Sequence, residues 1–170
     1  ANVAFTAFEL PGSTTGKPAI KPLFELNWED HHVPLRGISF WCASPLYVDG
    51  LVYALVMTGG LMIVDVNARK SVHRRWLDWY CRFNRYLYGA VASPTLGGKN
   101  IYLVDNSGCS IVLQPGPVYQ ERGRNILENI SPWSQSGNPC KQEAFYTSPV
   151  FAGDDLFLRG EEYLYAIRGK

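Results

Sequence analysis

The chain has 170 residues, of which 46% are apolar and 18% charged, with 14% aromatic side chains. That is enough apolar material for one folded domain with a core, and it excludes a disordered chain. A formal net charge of +1 supplies no overall field for nucleic acid or an anionic membrane, and no apolar run is long enough to form a transmembrane segment.

No signal peptide is visible, and the first residue is Ala1 rather than Met, which reads as a processed chain or a piece of a longer one. The four cysteines, Cys42, Cys81, Cys109 and Cys140, contain no CxxC pair. If all were bridged, three pairings would be open. A scattered set reads more simply as small buried apolar filler, and zinc would need closely spaced ligand pairs.

In chain order, "ANVAFTAFELP" reads as an inner strand and "KPLFELNW" as an outer one, with the turn-rich insertion "PGSTTGKP" between them. "NWEDHH" follows. Three Ser-Pro steps then set a repeat: "ASPLYVDGLVYALVMTGGLMIVDV", "ASPTLGGKNIYLVDNSGCSIVLQPG" and "TSPVFAGDDLFLRGEEYLYAI". From Ser44 to Ser93 is 49 residues and from Ser93 to Ser148 is 55, the period of a stacked supersecondary unit.

Each unit predicts a short extended piece after the Pro, a strand carrying an aromatic (Tyr53, Tyr102, Phe157), a tight turn and a second apolar strand. "LVYALVM" and "LMIVDV" are apolar on nearly both faces, as expected of strands covered from both sides. The stretches "SVHRRWLDWYCRF" and "PVYQERGRNIL" read as outer strands, and the third unit ends at Ile167 without one. The expected fold is all-β: a β-propeller segment of four-stranded antiparallel blades in an incomplete ring. Its divisions are a partial blade over 1–36, blades over 37–86 and 87–142, and a partial last blade over 143–170.

Few residues suggest chemistry. Within "NWEDHH", Glu29, Asp30, His31 and His32 are metal-ligand types. Neighbouring residues on a strand point to opposite faces, so the segment reads as a solvated loop, with Asp30, His31 and His32 as the metal candidates. The basic and aromatic run "HRRWLDWYCRFNR" has the composition of a nucleic-acid platform, yet it also suits Arg stems laid over an outer strand. With a near-neutral chain, the second reading is preferred. "DNSG" and "GDD" lack the alternating oxygens of a calcium loop and read as hairpin turns. No nucleophile–base or paired-carboxylate arrangement stands out, and Ser44, Ser93 and Ser148 repeat for structural reasons.

"SPLYVDGLVYALVMTGGLMIVDVNARKSV" resembles the repeat of pyrroloquinoline-quinone-type (PQQ-like) β-propellers, which runs Ser-Pro, an extended stretch, DG-x-VY, a turn, then an Asp followed by Thr-Gly and a docking Trp. Counted from Asp65, the Thr-Gly positions hold Ala68 and Arg69, and the Trp position holds His73. The second unit lacks the Asp. The resemblance implies a ring of about seven or eight blades, so this chain would be the C-terminal part of a larger propeller, or one completed by another chain.

It also implies that a catalytic member holds its quinone under a vicinal disulfide beside calcium, with an Asp base. The sequence has no Cys-Cys pair and no obvious acidic cluster. The expectation is therefore a non-catalytic protein-interaction or scaffold module, periplasmic or extracellular, bacterial, with no catalytic or cofactor-binding residue. Its partner would be another protein or the remainder of the propeller, and not nucleic acid. "PGSTTGKP" and "SPWSQSGNPCK" are the candidate contact loops. The alternative is a fragment of a PQQ-dependent quinoprotein dehydrogenase, and only there would PQQ and calcium be needed.

Overall fold

The computed structural model describes residues 3–9, 21–27, 43–56, 59–77, 90–106, 108–127 and 145–168. Thirteen strands within them form four antiparallel sheets of two, four, four and three strands, each ordered as the chain runs. The first sheet pairs β1 (Val3–Glu9) with β2 (Lys21–Asn27). The second contains β3 (Leu46–Val48), β4 (Leu51–Leu55), β5 (Gly60–Asp65) and β6 (Lys70–Trp76). The third repeats it with β7 (Thr95–Gly97), β8 (Asn100–Val104), β9 (Ser110–Leu113) and β10 (Glu121–Asn125). The fourth has β11 (Val150–Ala152), β12 (Asp155–Arg159) and β13 (Leu164–Arg168).

Local chemistry sets the hairpins. Asp49 and Gly50 join β3 to β4 with φ of 47° and 83°. A two-residue connection with both φ values positive matches the right-handed twist of the flanking strands, and Asp-Gly is the pair that tolerates it. Between β5 and β6 the Asp65 carboxylate accepts the Ala68 N–H at 2.8 Å. Between β8 and β9 the Asp105 carboxylate accepts the Cys109 N–H at 2.8 Å while the two backbones pair. "DNSG" therefore works as a turn closed by its own Asp, and Cys109 is buried within it.

Packing explains the strands that are apolar on both faces. Along β5, Leu61 and Ile63 point into a core shared with β8 and β9, while Met62 and Val64 point into a core shared with Phe5, Phe24 and Leu26 of the first sheet. The third sheet behaves alike: Ile101 and Leu103 face the second sheet, and Val104 joins Phe145 and Leu158 toward the fourth. Successive sheets thus stack face to face, and the middle ones are covered on both sides. Truncation of such a side chain to Ala costs about 2–5 kcal/mol, so these cores carry most of the stability.

The Ser-Pro steps connect the sheets directly. The backbone N–H of Ser44 donates to the Ser93 hydroxyl at 2.8 Å, and that of Ser93 donates to the Ser148 hydroxyl at 2.9 Å. Each repeat hands its serine N–H to the serine of the next. Pro follows and has no N–H, so this is the last main-chain donor before the strand begins. Ser148→Ala leaves the half-buried Ser93 N–H without its acceptor. The variant is expected to lose about 1 kcal/mol, read as a lower urea midpoint at unchanged slope, while Ser148→Thr retains most of the difference.

Candidate interaction surface

The aromatic of each repeat lies nine residues after its Ser (Tyr53, Tyr102 and Phe157), and Tyr53 and Tyr102 face the sheet that follows. Tyr53 is fully buried, and its hydroxyl both donates to the Gly116 carbonyl at 3.0 Å and accepts the Gly116 N–H at 2.7 Å. Gly116 belongs to the connection between β9 and β10, so a side chain of the second sheet clamps the backbone of the third. Burial pushes the Tyr53 phenol upward despite the Gly116 bond.

Outside this clamp lies an aromatic and charged cluster. His73 of β6 stacks on Tyr119 with centroids 6.2 Å apart, and Arg75 covers the same ring at 4.4 Å. The Tyr119 hydroxyl donates to Glu121 at 2.5 Å, and Glu121 pairs with Arg124. Desolvation, reinforced by the bond to Glu121, pushes the Tyr119 phenol up to about 12. The Arg124 guanidinium holds the Glu121 carboxyl below its usual range. Burial, aided by the Arg75 charge, lowers His73 below its ordinary value, and its Nε2 is buried without a hydrogen-bond partner. The position read as a failed docking Trp thus still docks. An imidazole does so, with the larger aromatic supplied by the neighbouring sheet.

The contact between the third and fourth sheets is less complete. Phe151 of β11 lies 4.7 Å from Tyr102, centroid to centroid. It sits over Gly97, where a Cβ would come within 2.5 Å of the ring. Beside them opens a cleft of about 520 Å³ lined by Asn100, Tyr102, Ser110, Asn125, Ile167 and Arg168 among others. The other face of the fourth sheet carries Val150 and Leu164, 62% and 68% exposed, with Tyr163 nearby at 63%. Equivalent faces of the second and third sheets are covered by the next sheet. The ion pair of Arg168 with Asp155 borders this face.

Other residues singled out in the sequence are not brought together. Asp30, His31, His32 and both candidate loops lie outside the described residues, as do Cys42, Cys81 and Cys140. Among the described residues no group of His, Cys, Asp and Glu is placed to hold a metal ion, and no helix is long and apolar enough to cross a membrane. The Tyr53–Gly116 clamp and the Tyr119 cluster had no sequence signal beyond the aromatic shared by each repeat.

A lowered His73 value fixes the sign of a pH effect. The folded state resists protonating His73, so stability is full above about pH 6.5 and falls as pH drops through the folded value. Tyr119 and Arg75 face it, and Glu121, which is bonded to Tyr119, titrates below its ordinary value, under this window. Urea midpoints are expected to decline from pH 7.5 to about pH 5.5, and His73→Gln should flatten that decline.

No family model matches the sequence, and no curated protein matches it. Solved structures do match the fold. BamB from Moraxella catarrhalis superposes with a TM-score of 0.55 at 13% identity, over 74% of this chain and 36% of that one. Quinohemoprotein alcohol dehydrogenase from Comamonas testosteroni gives 0.49 at 14% identity, over 74% and 19%. The chain therefore spans about a third of the length of BamB. BamB is a PQQ-like β-propeller protein. With antiparallel sheets stacked in chain order and no helix among the described residues, the fold of this chain is a run of PQQ-like β-propeller blades.

Proposed function

We propose that the chain is a non-catalytic PQQ-like propeller segment acting as a protein-interaction or scaffold module. The observation that supports this reading is the apolar face of the fourth sheet, where Val150 and Leu164, with Tyr163 beside them, are exposed and no other described residue covers them. A contiguous apolar face rimmed by polar groups marks a contact surface. The polar side chains of the best-formed contact, Tyr53, Tyr119, Glu121 and Arg124, are already engaged with one another or with the backbone, which suits packing rather than turnover. Placement in the periplasm or outside the cell rests on the family resemblance, as does the expectation of a bacterial source.

The quinoprotein dehydrogenase alternative would require PQQ and calcium, and no observation among the described residues favours it. Incubation of the chain with PQQ and Ca²⁺, followed by desalting and a dye-reduction assay with alcohols, separates the two. The interaction reading expects no retained quinone absorbance and no dye reduction. Calcium-dependent turnover would overturn it.

A further inference from the structure

The connection between β9 and β10, residues 114–120, is held from several sides. The Gln114 N–H donates to the Gln120 carbonyl at 2.9 Å and closes its base. The Tyr53 hydroxyl clamps Gly116 from the second sheet, and the Tyr119 hydroxyl is bonded to Glu121. Pro115 and Pro117 fix φ on either side of Gly116. A loop so restrained has little freedom left to lose when a partner covers it. What it presents is apolar: Pro117 is exposed, and Val118 is 62% exposed.

Charge around this loop is unbalanced. The Glu121 carboxylate is already taken by Arg124, whose guanidinium donates to Oε1 and Oε2 at 3.1 Å each. Two further guanidiniums stand beside the loop, both exposed. Arg75 lies over the Tyr119 ring at 4.4 Å and has no carboxylate within ion-pair distance among the described residues. Arg122 donates to the neutral Gln114 side chain and has none either. The ring under one and the amide beside the other fix where each cation sits, while donors of both forks remain uncommitted. A rigid apolar tip between two such cations calls for a partner that is acidic and apolar at once.

We propose that residues 114–120 with Arg75 and Arg122 form a docking surface for an acidic segment of a partner polypeptide, in which an apolar side chain lies between carboxylates. The apolar side chain covers Val118 and Pro117. The carboxylates accept the paired N–H groups of Arg75 and Arg122, a fork that a guanidinium offers and an ammonium does not. A nucleic acid fits less well. Its bases need open aromatic faces, whereas the Tyr119 ring is already engaged by Arg75 and His73, and its phosphates would meet Glu121.

This inference rests on the interaction reading and names the chemistry of its partner. The probe is the blocked peptide acetyl-Gly-Glu-Leu-Glu-Gly-amide, titrated against the intact chain at low salt with residue-resolved NMR. Saturable shifts are expected at Val118 and at the side-chain N–H groups of Arg75 and Arg122, and affinity should fall as salt is raised. Replacing both glutamates of the peptide by glutamine should weaken binding about tenfold, and replacing its leucine by serine should weaken it as well. Arg75→Lys keeps the charge, loses the fork and should bind less tightly than the wild type. Val118→Ser, at an exposed position, should lower affinity with the urea midpoint unchanged.

Absence of saturable binding would overturn the surface, as would equal affinity for the glutamine peptide, or tighter binding of a thymidine octanucleotide at the same residues. Shifts gathered at Val150 and Leu164 instead would also overturn it, and would leave the interaction reading standing. Quinone turnover would remove that reading whatever the peptide does.

Discussion

The hydrogen bond from one Ser-Pro serine to the next is the constraint on which the arrangement of sheets depends. Apolar faces attract without direction, and stacked sheets could slide over one another at little cost in buried area. A backbone N–H donated to a single hydroxyl 49 or 55 residues away allows no such slide. With the serines aligned, the aromatic nine residues later in the second and third sheets is turned toward the sheet that follows. Tyr53 then meets Gly116, and Tyr102 meets Phe151. Burial supplies the stability, and the serine ladder with the tyrosine clamp supplies the register.

Division of labour along each blade follows from that geometry. Inner strands carry the ladder and the tight turns, the third strand carries apolar side chains on both faces, and the fourth carries polar and aromatic groups at the rim. At the rim between the second and third sheets, His73, Arg75 and Tyr119 are stacked and Glu121 with Arg124 is paired. Exposed pairs of this kind add little energy, so their value lies in positioning β10. Between the third and fourth sheets the described residues leave the same layer open, and a cleft lined by Tyr102, Phe151 and Ile167 together with Asn100, Ser110 and Asn125 lies there.

Much of the fold was legible in the sequence, and for local reasons. The Ser-Pro steps, the Asp49–Gly50 turn and the two-faced apolar run around β5 each report a constraint settled within a few residues. The strand content of the four sheets follows from the same signals. The candidate surface was much less legible, because its partners are far apart in sequence. Tyr53 and Gly116 are separated by 63 residues, and nothing around either points to the other. His73 looked like a lost docking residue because the family pattern asks for Trp on β6, whereas here the aromatic bulk comes from Tyr119 across the interface. The serines were read correctly as structural, but the hydroxyl's role as an acceptor for the preceding sheet was visible only in three dimensions.

Residue-resolved hydrogen exchange on the isolated chain tests the central claim most directly. If the ladder sets the register, the Ser93 N–H is protected to the same degree as the amides of β8 and β9, since opening it requires separating two sheets. The Ser148 N–H, which has no acceptor among the described residues, exchanges at close to the rate of an open amide. Ser93 exchanging as fast as Ser148, with the strands themselves still protected, would contradict the account.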